Sequence, residues 1–281
     1  MSIMKKLKEY LNRPLSFVMF LLIIISTVIT ALTVVFIIGY IFIKGVPNLS
    51  FDLFSLKYSS SNQSMLPSII NTVYLTALTL LLAVPIGIFS AIYLAEYSRK
   101  NSFFVKIINI ANETLSGIPS IVYGLFGFLA FVISKKWGYS LLAGVITLAI
   151  MVLPLIIRTS QEAMLGVDNT FREASYGLGA GKLRTVFKIV LPSAMPGILS
   201  GIILAIGRIV GETAALIYTA GTVPEAATKL TSSSRTISVH LYCLLNEGLY
   251  TEQAYATAVV LIVFVVIINA LSNALAKKIM K

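Results

Sequence analysis

Five stretches of this chain contain no Asp, Glu, Lys or Arg: Leu15–Ile43, Ser68–Ala95, Thr114–Ser134, Trp137–Ile157 and Gln253–Ala276. Each reaches the roughly 20 residues that an apolar helix needs to cross a bilayer. A sixth, about Ala194–Ala220, is apolar except for Arg208 and Glu212. A backbone in hydrocarbon must satisfy its own hydrogen bonds, and long unalternating apolar runs do so as helices. Only 12% of the residues are charged, against about 25% in a soluble domain. The expected fold class is therefore an all-α membrane protein with six transmembrane helices. Residues 1–14 form a basic head, and residues 15–281 form one six-span domain.

The formal net charge is +11. Basic residues of membrane proteins collect in cytoplasmic loops, so their distribution over the six spans sets the orientation. With the N-terminus inside, one side carries Lys5, Lys6, Lys8, Arg13, Arg99, Lys100, Lys106, Arg158, Arg172, Lys182, Arg184, Lys188, Lys277, Lys278 and Lys281. The other side carries Lys44, Lys57, Lys135, Lys136, Lys229 and Arg235. This asymmetry predicts a multi-pass membrane protein with both termini cytoplasmic. It also accounts for the basic charge without nucleic acid. The first run is longer than the 7–15 apolar residues of a signal peptide, which points to an uncleaved first span. The single cysteine, Cys243, rules out an internal disulfide.

The longest inside segment, about residues 158–192, carries the most specific pattern. It reads Glu173-Ala174-Ser175, three residues, Gly179, nine residues, Ile189, one residue, Leu191-Pro192. Gly177, Gly179 and Gly181 supply backbone freedom for a bend between two short helices. Val186, Ile189 and Val190 give the unit an apolar face, and Pro192 is expected to end its second helix before span five. This pattern resembles the EAA loop of ABC-importer permeases, with Ser175 standing where the family has Ala. Three further segments resemble the phosphate-specific importer permeases. They are Arg208-Ile-Val-Gly-Glu-Thr-Ala-Ala, Ile118-Pro-Ser-Ile-Val-Tyr-Gly and Ile92-Tyr-Leu-Ala-Glu-Tyr. The run Thr213–Ala220 and the short N-terminal region look closer to the PstA-type than to the PstC-type subunit of that group.

The resemblance implies a type I ABC-importer permease (MetI-like) fold. It implies inorganic phosphate as cargo and a heterodimer with a PstC-type permease. It also implies two cytosolic ATPase subunits and an extracytoplasmic phosphate-binding protein. Glu173, Ala174, Ser175, Gly179, Ile189, Leu191 and Pro192 would then contact the ATPase. Arg208, Glu212 and Thr213 would belong to the substrate path. ATP would be bound by the partner, and this chain would have no catalytic residue and no cofactor of its own.

Span five carries a second signal that is independent of the family. On one continuous helix, Gly197, Gly201, Ala205, Arg208, Glu212 and Ala215 would share one narrow face. Arg at a span centre costs about 2.5–3.5 kcal/mol on insertion, so it should face protein or water. Two readings fit the residues. One is an i,i+4 Arg208–Glu212 pair holding a bundle together. The other is a guanidinium offering forked donors to an oxyanion. The resemblance favours the second.

Other patterns carry less. Gly177-Leu-Gly-Ala-Gly-Lys-Leu lacks the first glycine and the terminal Ser or Thr of a phosphate loop. His240 and Cys243, three residues apart, are too few for a metal site. Glu113 near the inside end of span three reads as a helix cap or a path residue. Other functions remain open at this stage: a permease for sulfate or molybdate, an ion-coupled secondary transporter, or a membrane-embedded enzyme.

Overall fold

The computed structural model describes residues 14–98 and 102–279. Lys5, Lys6, Lys8, Arg13, Arg99, Lys100 and Lys281 lie outside the described residues. All regular elements among the described residues are helical: α1 (Pro14–Gly45), α2 (Leu66–Tyr97), α3 (Phe103–Gly117), α4 (Ser120–Ser134), α5 (Leu141–Leu165), α6 (Asn169–Gly177), α7 (Lys182–Gly211), α8 (Ala214–Thr219), α9 (Ile237–Glu247) and α10 (Thr251–Ile279). Five of them, α1, α2, α5, α7 and α10, are long and apolar enough to cross a membrane, and α3 with α4 makes a bent sixth.

The helices form where the sequence lacks charge, but their order in space follows packing. Lipid is as apolar as Leu, so membrane helices associate by close fit and small residues. α5 is the central helix, with 67% of its most apolar stretch buried, against none of α1. Leu148, Met151, Val152 and Ile156 of α5 meet Leu75 and Ala83 of α2, and Ala205 and Ile209 of α7, in one cluster. On the α5–α7 seam, a Cβ at Gly197 would stand 2.6 Å from the Ala163 Cβ, and one at Gly201 would stand 2.1 Å from the Thr159 hydroxyl. The small residues of span five therefore let α7 lie against α5.

Two expected spans are broken. The run Thr114–Ser134 is not one helix, because α3 and α4 meet at 101° across Ile118 and Pro119. Ile118 and Pro119 both have extended ψ, as a residue preceding proline prefers. Glu113 consequently lies ten residues into α3 and caps nothing. The second break is in span five. α7 stops at Gly211, Glu212 takes an extended conformation, and α8 begins at Ala214. Pro192, by contrast, does not end a helix. A wide π turn at Val186–Val190 leads straight into Leu191, and the helix runs unbroken from Lys182 to Gly211.

Candidate functional site

The segment from α6 to the start of α7 folds as the expected helical hairpin. Asp168 caps α6 by accepting from the Thr170 amide at 2.9 Å, the usual way of satisfying an orphan N-terminal donor. Thr170 also donates to it through its hydroxyl. These bonds hold the Asp168 carboxyl below its ordinary pKa. Gly179, at φ +82°, makes the reversal, a conformation that glycine adopts without penalty. Ser175, buried at the crossing, shares a 2.8 Å hydrogen bond with the Thr185 hydroxyl. The serine that departs from the family pattern thus staples the two arms together.

The hairpin has an inner and an outer surface. Val186 and Val190 are fully buried against Ala91 and Ile92 of α2 and Met164 of α5. Ile189 and Leu191 are half-buried, whereas Glu173, Ala174, Gly179 and Pro192 are exposed. Around them Phe171, Tyr176, Leu183 and Phe187 are exposed, and Leu178 at the tip is 90% exposed. This apolar cluster sits beside Lys182, Arg184 and Lys188, in a segment too polar for hydrocarbon.

Arg172 fastens the hairpin to the bundle. Its Nε and Nη2 donate to Glu96 Oε1 at 3.1 and 2.7 Å. The same group donates to the carbonyls of Val167 at 2.7 Å and Met164 at 2.8 Å, and to Asn169 Oδ1 at 3.2 Å. The two side chains are only 13% and 6% exposed. Removing one partner of a buried pair typically costs about 3–5 kcal/mol. Lys182 adds a second tie, its Nζ lying 4.9 Å from the Tyr97 ring. Sequence reasoning overlooked Arg172 and Glu96 as a pair. The available signal was an acid at the lipid boundary, inside the segment from Ile92 to Tyr97.

In span five the three expected path residues separate. Arg208 is half-buried near the end of α7 and lines an open groove of about 530 Å³ with Leu155, Ser200, Ile203, Leu204, Gly207 and Asn269. Glu212 is buried, and its Oε1 accepts from the Ala215 amide at 3.1 Å. The ion pairs among the described residues are Arg158–Glu162 and Arg172–Glu96, so Arg208 and Glu212 do not pair. The reason is the break at Gly211, which destroys the i,i+4 relation and turns Glu212 to the start of α8. Thr213 is half-buried at that joint, its hydroxyl donating weakly to the Gly211 carbonyl at 3.4 Å. Asn269 was not anticipated. An amide within an apolar span, with Asn273 one turn on, was its signal.

Two polar clusters lie elsewhere. Asn109, Asn112 and Glu113 of α3 face Arg158, Gln161 and Glu162 of α5 across a pocket of about 220 Å³. At the end of the bundle away from the hairpin, Arg235 lies 4.7 Å over the Tyr58 ring, and Tyr58 meets His240 edge-on at 6.3 Å. Burial, reinforced by the Arg235 charge, pushes the His240 pKa down to about 3, and burial raises that of Cys243. Among the described residues no group of three metal-ligating side chains occurs.

Known proteins share this geometry. The family described as "Binding-protein-dependent transport system inner membrane component" matches residues 83–281. A probable ABC transporter permease protein, YqgI, of Bacillus subtilis is 32% identical over 82% of this chain and 84% of its own length. The phosphate transport system permease protein PstA of Haemophilus influenzae is 36% identical over 70% of each chain. In fold, the chain superposes with TM-score 0.67 and 18% identity on a bacterial ABC transporter that imports the acidic polysaccharide alginate, covering 99% of this chain and all of that one. With its all-helical bundle and bent third span, this chain has the type I (MetI-like) fold and belongs to the binding-protein-dependent inner-membrane components, the permease subunits of ABC importers.

Proposed function

We propose that this chain forms half of the transmembrane path for inorganic phosphate and couples it to a cytosolic ATPase through the α6–α7 hairpin. One observation carries the cargo reading: Arg208 stands in a groove at the end of a transmembrane helix with no carboxylate partner among the described residues. A guanidinium in that setting offers paired donors to a tetrahedral oxyanion. The PstA relatives, named for phosphate transport, support phosphate over sulfate or molybdate. Glu212 is a helix cap in this reading and Thr213 a hinge residue, so Arg208 alone of the three meets the anion.

The exposed apolar cluster around Leu178, flanked by basic residues, supports docking to a cytosolic partner. A PstC-type permease, two ATPase subunits and an extracytoplasmic binding protein complete the assembly. ATP belongs to the partner subunits. Both termini are cytoplasmic, a reading supported by the asymmetry of basic residues.

The test is uptake of labelled phosphate by complexes carrying Arg208→Gln or Arg208→Lys, with assembly checked by co-purification of the ATPase. A charge-assisted contact contributes about 1.5–3 kcal/mol, so Gln should lower uptake by about 10- to 100-fold. Lys, which keeps charge without the fork, should fall between Gln and the parent. Full uptake by an assembled Arg208→Gln complex would refute the cargo reading.

A further inference from the structure

The hairpin is attached to the bundle in two different ways. Its second arm is continuous with α7, so any displacement of that arm carries the groove-lining residues Ser200 to Arg208 with it. Its first arm, α6, follows α5 in the chain after Gly166, Val167 and Asp168, but it packs chiefly on the second arm and has no comparable backbone packing on α2. One side chain spans that gap. Arg172 reaches from α6 to the carboxylate of Glu96 at the end of α2 and to two carbonyls, Met164 and Val167, at the end of α5. Three helix ends therefore converge on a single guanidinium.

The elements on the far side of this contact are suited to move as a unit. α2 and α5 are the most extensively packed pair of helices. A Cβ at Gly87 would lie 2.6 Å from Ile156 Cγ2, so the two helices are in close contact there. α5 also supplies Leu155 to the groove that holds Arg208. The last turn of α2, Tyr93–Tyr97, is a π turn, a form that recurs at functional sites in helices. Arg172 thus joins the arm that does not continue into α7 to the two helices on which α7 packs.

We propose that the buried Arg172–Glu96 pair is the joint that makes α2 and α5 follow the hairpin when its seat moves, and so couples ATP hydrolysis to opening of the path. Arg172 and Glu96 are positioning residues. Neither touches substrate, and their effect on transport passes through α2 and α5. The inference rests on the reading of the hairpin as the ATPase seat. A contact of this kind has two separable consequences. As a scaffold it holds the hairpin's shape, and as a joint it ties hydrolysis to the presence of cargo. Coupling between distant sites is commonly worth about 5- to 150-fold.

The experiment uses the full complex in proteoliposomes with its binding protein and inorganic phosphate. The variants are Glu96→Ala, which removes the acceptor, and Glu96→Gln, which keeps an oxygen for Arg172 without the charge. Three quantities are read: ATPase retained, basal hydrolysis, and hydrolysis stimulated by phosphate-loaded binding protein. The expected result for Glu96→Ala is retained ATPase and basal hydrolysis, with stimulation and uptake lowered by about tenfold or more. Glu96→Gln should fall between Ala and the parent.

Full stimulation in an assembled variant would overturn the proposal. So would a loss of stimulation that only tracks loss of bound ATPase in both variants. If Glu96→Ala fails to assemble, Glu96→Gln decides by the same criteria. The seat itself is tested separately by Leu178→Glu. Undiminished ATPase retention there would refute the docking reading and the coupling proposal that rests on it, whereas lost retention there with full stimulation in the Glu96 variants would refute the joint alone.

Discussion

Gly197→Ala tests whether the α5–α7 seam is set by backbone approach. The added Cβ would stand 2.6 Å from the Ala163 Cβ, about 1 Å inside ordinary carbon–carbon contact. No other neighbouring atom comes closer than 3.5 Å, so the clash is with one methyl group. Alanine improves helix propensity by about 1 kcal/mol over glycine, whereas overpacking costs about 1–3 kcal/mol. The single variant should therefore range from neutral to about 2 kcal/mol destabilised. Ala163→Gly alone should lose about 1 kcal/mol of propensity. In the double variant the propensity terms oppose each other and the clash is gone, so stability should return to within about 0.5 kcal/mol of the parent. The assay is thermal unfolding of all four proteins in one detergent, where 1 kcal/mol corresponds to about 2–4 °C. Strict additivity of the two single changes would show that α5 and α7 do not meet there as described.

Ser175→Ala should cost about 0.5–1.5 kcal/mol and raise hydrogen exchange across the hairpin without unfolding it, because Thr185 keeps its donation to the Gly181 carbonyl; unchanged exchange would dismiss the staple. Glu212→Ala should destabilise by about 1 kcal/mol as a lost cap, while Glu212→Gln, which retains the acceptor, should keep uptake near normal. Abolished uptake in an assembled Gln variant would restore a charge role for Glu212. His240 is held neutral by burial and by Arg235, with a pKa of about 3 against the ordinary 6.5. The unfolded chain then binds the extra proton first. Stability is complete above about pH 6.5 and declines as pH falls toward 3. His240→Gln should flatten that decline in a pH series of unfolding temperatures, and an unchanged profile would exclude His240 as its source.

The hydropathy of the sequence located α1, α2, α5, α7 and α10 because length without charge is a one-dimensional property. It misplaced the third span and misread the fifth because bends leave little trace in hydropathy. Pro119 sat inside an apolar run, and Gly211 drew no notice between Arg208 and Glu212 on a helix taken as continuous. That error propagated to chemistry, since the supposed Arg208–Glu212 pair existed only on an unbroken helix. The hairpin was legible from its fixed glycine and proline spacing. Its fastening was not, because Arg172 and Glu96 are 76 residues apart and nothing local to either announces the other. Asn269 had a local signal, an amide in an apolar run, but its place in the groove comes from α10 passing beside α7.

α1 has an unusual mechanical position. It packs against α10, and near its last turns Tyr40 meets Tyr255 at 5.9 Å. Just beyond, a Cβ at Gly45 would stand 2.4 Å from the Tyr255 carbonyl. Along the rest of the helix Val, Ile, Leu and Phe are exposed, and the hydroxyls of Thr27, Thr30 and Thr33 donate to backbone carbonyls one turn back. With those hydroxyls bonded to its own backbone and no charged residue from Leu15 to Ile43, the surface carries no charged stripe to fix its rotation about its own axis. At this end of α1 a glycine lets two backbones touch. A larger residue at position 45 would shift that pivot and, through 32 residues of helix, swing the opposite end several times as far as the pivot itself moved.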